Sequence, residues 1–195
     1  MNKTFKLAAL SAVAFALAAC GGGGDGDDGG NGPVVGRNGT VEVGSVNLPG
    51  GQTCNIPGFA QALIAEINAA RAQARNCGAN AIPVAPAVGY WNSRLSDAAS
   101  RHSADMAATG VYSHTGSDGS SLMIRVDRAG YVGQSSEILM RVGGGGNTRD
   151  MKVWMNSWLG SSEHCSILMD PTVSEIGAAC SMSGNTTYTT VVLGH

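Results

Sequence analysis

The chain has 195 residues, of which 43% are hydrophobic, 13% charged and 5% aromatic. That is enough for one domain with a real core and too little for two. Its formal net charge is −2 at pH 7, with no run of Lys or Arg, which excludes a phosphate-tracking nucleic-acid surface and a polybasic membrane face.

The first residues read as an export signal. Lys3 and Lys6 precede an apolar run, 7–17, too short to span a bilayer. The run ends in Leu17-Ala18-Ala19-Cys20, which resembles the lipobox of bacterial lipoproteins. That resemblance implies removal of residues 1–19 and lipidation of Cys20, hence an exported chain anchored to a bacterial membrane. Outer membrane or cell surface is the expected location, with plain secretion the alternative. Without residues 1–19, ten basic and fourteen acidic residues remain, for a net charge of −4. Residues 20–52 are Gly-rich, carry Asp25, Asp27 and Asp28, and predict a disordered tether. The folded domain is expected over 53–195.

A first helix is expected over 59–75, with Phe59, Leu63, Ile67, Ala70 and Ala74 on one face and Gly78 as its stop. Residues 81–89 contain Pro83 and Pro86 and predict extended loop. A second helix is expected over 92–109, with Leu95, Ala98, His102, Met106 and Thr109 on its buried face. His102 there reads as a satisfied core histidine. A polar, Gly-punctuated turn carries His114. A third helix is expected over 121–129, capped by Ser120 or Asp118 and stopped by Gly130. A strand is expected over 137–142, then a flexible loop over 143–146. A fourth helix should begin near Thr148, burying Met151, Trp154, Met155 and Trp158. His164 is expected on a polar loop. Residues 176–182 and 187–193 are β-rich and flank Ser183-Gly184-Asn185, a hairpin signal. Together these predict helices packed around a small sheet.

Of five cysteines, a lipidated Cys20 leaves Cys54, Cys77, Cys165 and Cys180. An even set in an exported chain predicts two disulfides. A helix of about 17 residues would separate Cys54 from Cys77 by about 25 Å, more than a disulfide tolerates. Both bridges should therefore join the N-terminal to the C-terminal part, by either of the two remaining pairings. A cysteine zinc site is disfavoured because no Cys-x-x-Cys pair exists.

Several blocks in order resemble the CAP superfamily (cysteine-rich secretory proteins, antigen 5, pathogenesis-related proteins) in its bacterial SCP-domain form. They are Ile67-Asn68-Ala69-Ala70-Arg71; Leu95 through Met106; Tyr112-Ser113-His114-Thr115 with Asp118-Gly119-Ser120, Arg125 and Ala129-Gly130-Tyr131; Trp158 through His164-Cys165; and Ser174-Glu175-Ile176-Gly177. The match covers about 54–194. The resemblance implies an α/β fold, a three-layer α-β-α sandwich with a small, mainly antiparallel sheet. It favours Cys77–Cys165, and with it Cys54–Cys180 is the preferred second bridge. It also implies a cleft holding His114, His164 and Glu137. The glutamate's motif reads Ser136-Glu137-Ile138-Leu139, without the family's flanking Gly and Asn. Ser161 falls near the place of the family's second glutamate, and Ser162 and Glu163 replace its Pro and Gly.

Neutral imidazoles at His114 and His164 are suited to Zn²⁺ or another divalent metal, with Glu137 as ligand partner or base. Glu163, beside His164, reads either as a further cleft carboxylate or as a solvated side chain. No Gly-x-Ser-x-Gly elbow is present, and two bridges leave no free thiol once Cys20 is lipidated. The expectation is a non-enzymatic binding module for a lipid, cell-wall, metal or protein ligand, with no nucleic-acid partner. The alternative is a metal-assisted, peptidase-like hydrolase using His114, His164 and Glu137.

Overall fold

The computed structural model describes residues 36, 38–144 and 147–195. The expected export signal, Cys20, the acidic stretch of the tether, and Gly145 and Gly146 lie outside the described residues. Among the described residues the elements are, in chain order, β1 (Thr40–Glu42), α1 (Phe59–Arg71), β2 (Arg75–Cys77), β3 (Asn80–Ile82), β4 (Tyr90–Asn92), α2 (Ser93–Thr109), α3 (Leu122–Arg128), β5 (Ser135–Val142), α4 (Met151–Gly160), α5 (Ser162–Leu168), β6 (Glu175–Ser183) and β7 (Thr186–Gly194).

Five strands form one sheet in the order β1-β4-β6-β7-β5. Only the β4–β6 pairing is parallel. Successive side chains on a strand point to opposite faces, and the sheet is apolar on both. Ile138, Met140, Ile176, Ala178, Val191 and Leu193 pack with Leu63 and Ile67 of α1 and Trp154 and Trp158 of α4. On the other face, Ala179 and Val192 meet Leu95, Ala98 and Ala99 of α2 and Val126 of α3. Leu139 and Tyr188 meet Met106 and Ala107. Helices therefore cover both faces, giving the α-β-α layering. The approach of α2 is so close that a Cβ at Gly177 would fall onto the backbone of Asn92, Leu95 and Ser96.

Helix ends follow local chemistry. Asn92 caps α2, accepting from the N–H groups of Arg94 and Leu95, and Gly110 closes it at φ 73°. Ser121, not Ser120 or Asp118, caps α3. Asp150 caps α4, and the expected tryptophans and methionines of that helix are buried. Helix α1 stops four residues earlier than its apolar stripe predicts, so Ala74 is exposed. The last-turn carbonyls are diverted: Ala85 N–H donates to Arg71 O at 2.9 Å and the Arg75 guanidinium to Ala70 O at 2.7 Å. Arg71 itself is fully buried and donates to the carbonyls of Pro86, Leu168, Asp170 and Val173 at 2.6–3.2 Å.

Three further expectations are corrected. Residues 40–52 are not tether. β1 pairs with β4, Val41 is buried, and Gln61 donates to the carbonyls of Val43 and Val46. The valines supply the apolar surface that the Gly/Asp run before them lacks. His164 is not on a loop: it lies in α5, where Cys165 N–H donates to Ser161 O at 2.8 Å and buried Cys165 and Leu168 hold the helix to the core. Part of the 81–89 loop joins the β2–β3 ribbon.

Both preferred disulfides are present. Cys54–Cys180 has a Cα–Cα distance of 5.2 Å and spans 126 residues. Cys77–Cys165 has 5.4 Å and spans 88. Closing loops this long stabilises by about 4–5 kcal/mol each in the chain-entropy model. Such bridges persist in oxidising, extracytoplasmic compartments.

Candidate functional site

The turn after α2 is held to the domain at three points. His102 Nε2 donates to Ser113 O at 2.9 Å. Asp105 accepts from the Ser117 N–H at 2.8 Å and from the Ser117 hydroxyl. Arg125 Nη1, reaching from α3, donates to His114 O at 3.1 Å and Ser120 O at 2.9 Å. The backbone around His114 is thereby fixed while its ring stays mostly exposed.

Glu137 comes from β5, on the sheet face that α2 and α3 cover. Both its oxygens are engaged. Arg125 Nη2 donates to Oε2 at 2.6 Å, and Oε1 lies 2.8 Å from His114 Nδ1. The Glu137 side chain is 2% exposed and Arg125 5%, against 59% for His114. This is a relay from a buried cation through a buried carboxylate to a surface imidazole. It leaves the His114 Nε2 for an incoming group.

The two histidines are tuned in opposite directions. The hydrogen bond to Glu137 raises the His114 pKa above its ordinary value, against a smaller effect of burial. Burial lowers that of His164; the Glu163 carboxylate opposes this, and the charge of His114 adds to it. The site thus favours the protonated form at His114 and the neutral form at His164. The expected set comes together in two ways. His114 and Glu137 are in contact, while His164 and Glu163 are coupled to His114 through their charges, with no hydrogen bond to it among the described residues.

Arg125 was missed as a site residue by sequence reasoning. Its signal is a charged residue within the apolar stripe of Leu122, Val126 and Ala129. His102 is buried as expected, but only its Nε2 is partnered; Nδ1 has no partner among the described residues. Ser161 occupies the N-cap position of α5.

The donor set does not fit a firmly held catalytic metal. Among the described residues no group of three or more His, Cys, Asp or Glu is arranged to hold an ion. The buried Glu137 oxygens already accept from Arg125 and face His114, and catalytic zinc sites use three protein ligands.

A model of the cysteine-rich secretory protein family (CAP) matches residues 64–194, about two thirds of the chain. The chain belongs to this family. Among solved structures, this CAP protein is similar to an outer surface protein of Borrelia burgdorferi. The two are 18% identical with a TM-score of 0.52, and the match covers 69% of this chain and 90% of that one. It is also similar to an extracellular protein containing an SCP domain from Bacillus anthracis strain Ames, at 20% identity and a TM-score of 0.46. That match covers 58% of this chain and 34% of the other, so the CAP protein spans about a third of that relative's length. No curated protein sequence matches it. The family match and the Borrelia structure agree with the layered fold described above.

Proposed function

We propose that this CAP protein is an exported, lipid-anchored binding module, exposed at a cell surface or in a periplasm, that takes its ligand at the His114–Glu137–His164 cleft without chemical turnover. One observation carries the reading: Glu137 is committed at both oxygens, to Arg125 and His114. A general base must come within hydrogen-bond reach of the proton it removes, and the Glu137 side chain is 2% exposed, with Arg125 and His114 standing at its two oxygens. This carboxylate instead orients an imidazole and favours its protonated form, which suits recognition of an acceptor or anionic group. Val111 and Tyr112, just before His114, are exposed by 60% and 47%. That favours a ligand with an apolar part, such as a lipid or a cell-wall fragment. Export is supported by the two disulfides, and the lipid anchor by Leu17-Ala18-Ala19-Cys20.

Titration with Zn²⁺ of the wild type beside His114→Ala and His164→Ala tests the reading. Binding weaker than micromolar sustains it. Tight one-to-one binding, lost in both variants, would replace it with a metal-assisted hydrolase built on the two imidazoles.

A further inference from the structure

Three separate segments bring polar side chains together at one end of the sheet. Ser136 stands at the start of β5, His195 follows β7, and Asp170 and Thr172 belong to the turn between α5 and β6. Side chains alternate along a strand. Ser136 therefore shares the sheet face of Ile138 and Met140 and points away from the face of Glu137 and its cleft. The His195 N–H donates to Gln134 O at 3.1 Å, which extends the β5–β7 ladder by one pair and sets the ring beside Ser136.

The hydrogen bonds among the four side chains run in one direction. An ionised carboxylate can only accept. Asp170 Oδ1 receives the Thr172 hydroxyl at 2.6 Å and the Thr172 N–H at 2.8 Å. The Thr172 oxygen, its own proton engaged, accepts from His195 Nδ1 at 2.8 Å. The proton of the neutral ring is thus on Nδ1, and Nε2 carries a lone pair. Ser136 Oγ lies 3.1 Å from Nε2, so its hydroxyl donates there. This is the order a hydrolytic serine needs: a nucleophile, a base, and a group that holds the base in the right tautomer. Asp170 Oδ2 lies 3.9 Å from Nδ1, close enough to stabilise the imidazolium that forms when Nε2 takes a proton. The His195 and Asp170 side chains are 12% and 37% exposed, and Ser136 is partly exposed.

The backbone adds a donor. Gln134 and His195 are a hydrogen-bonded pair of the antiparallel ladder, so Ser136 and Leu193, two places on, are another. The Glu137 N–H lies out of phase with these pairs and turns away from β7, toward the edge of the sheet that β5 forms. The Leu139 carbonyl shares that phase, and Trp158 Nε1 meets it from outside at 2.7 Å. An N–H directly after a nucleophilic serine can serve the oxyanion of an attacked carbonyl.

We infer that Ser136 is a catalytic nucleophile and His195 its base, with Thr172 and Asp170 as positioning residues, in a second site that hydrolyses small carboxylic esters. This goes beyond the cleft reading, in which a ligand is held unchanged, and shares no side chain with it. Nε2 takes the Ser136 proton as Oγ bonds to the ester carbonyl carbon. The ester C–O bond breaks, its electron pair leaving with the alcohol oxygen, which takes the proton from Nε2–H. Water then attacks the acyl group on Oγ. Its proton passes to Nε2 and on to Oγ, releasing a carboxylic acid and restoring the serine. Esters fit better than amides, because an alcohol leaves more readily than an amine and asks less of one oxyanion donor.

The test treats the full chain with a biotinylated fluorophosphonate and, separately, with p-nitrophenyl acetate. The expected result is one phosphonyl group per chain, mapped to Ser136 by peptide mass spectrometry and absent from Ser136→Ala. His195→Gln should slow labelling and lower kcat for the acetate by about 100-fold. Thr172→Val should lower kcat about tenfold, the equivalent of one hydrogen bond, with KM unchanged. Thr172→Ser should restore it. Three results overturn the proposal: no label on Ser136 of the wild type; labelling equally fast in His195→Gln; or acetate hydrolysis undiminished in Ser136→Ala. The first needs no variant, so it decides the matter even if a substitution fails to fold. Labelling at Ser136 and Zn²⁺ binding at the cleft are separate readouts, and failure of one leaves the other standing.

Discussion

His114 Nδ1 lies 2.8 Å from Glu137 Oε1, joining a ring that is 59% exposed to a carboxylate that is 2% exposed. A contact between a solvated ring and a buried acid makes the histidine's titration a direct report on the acid. The folded-state pKa of His114 is raised, so its contribution to stability is fully present below the unfolded value near 6.5 and is lost as pH rises through the higher folded value. The solvent exposure of the ring keeps that contribution small. An NMR pH titration should place the midpoint of His114 above that of His164, whose pKa is lowered. Glu137→Gln should move the His114 midpoint down and narrow the gap; an unchanged midpoint would contradict the contact.

The Arg125–Glu137 pair should behave as a buried ion pair. Arg125→Met leaves a buried carboxylate without its cation and should destabilise by about 3–5 kcal/mol. Combining it with Glu137→Gln should recover a large part of that loss. Urea unfolding of the four members of the cycle measures the coupling; additive effects would show that the pair is solvated in solution.

Gly177→Ala places a methyl group onto the backbone of Asn92, Leu95 and Ser96. Backbone cannot step aside as a flexible side chain can, so the change should cost at least about 2 kcal/mol. Thermal unfolding should show a lowered Tm, while Gly144→Ala, with nothing within 4 Å of the added atom but a positive φ of 94°, should cost less.

Both cystines should contribute separately. Cys77→Ser with Cys165→Ser should lower stability by about 2–5 kcal/mol, and Cys54→Ser with Cys180→Ser by a similar amount. Denaturant midpoints under non-reducing conditions test this, and adding reductant should bring the wild type below either variant.

Cys20→Ser should release the exported chain from the membrane fraction. Fractionation followed by immunoblotting reads the outcome. Retention of the variant with the membrane would remove the lipid anchor from the proposal.

Much of the architecture was legible wherever a pattern ran long enough. The stripe of α2, its stop at Gly110 and the tryptophans of α4 repeat over two or more turns, and Ser183-Gly184-Asn185 stands between two long β-rich runs. β1 and β4 have three residues each, too few for alternation to declare itself. They form because β6 offers β4 a parallel edge, a tertiary cause that local residues do not encode. Ser162-Glu163-His164 is polar enough to read as loop, and only Cys165 and Leu168 reveal the buried side of α5. In the site, His114 and Glu137 were readable as residue types on named elements. Arg125 was not, because a charged side chain in a short helix ordinarily points to water. Its role depends on a carboxylate twelve residues away on another layer.

Arg71 carries a last consequence. One planar cation binds the carbonyls of Pro86, Leu168, Asp170 and Val173, and so staples two stretches of irregular chain to the end of α1. Neither stretch can peel away without stranding the other's oxygens around an unsatisfied guanidinium. The two should therefore breathe as a single unit, exchanging their amide hydrogens with deuterium at a shared rate.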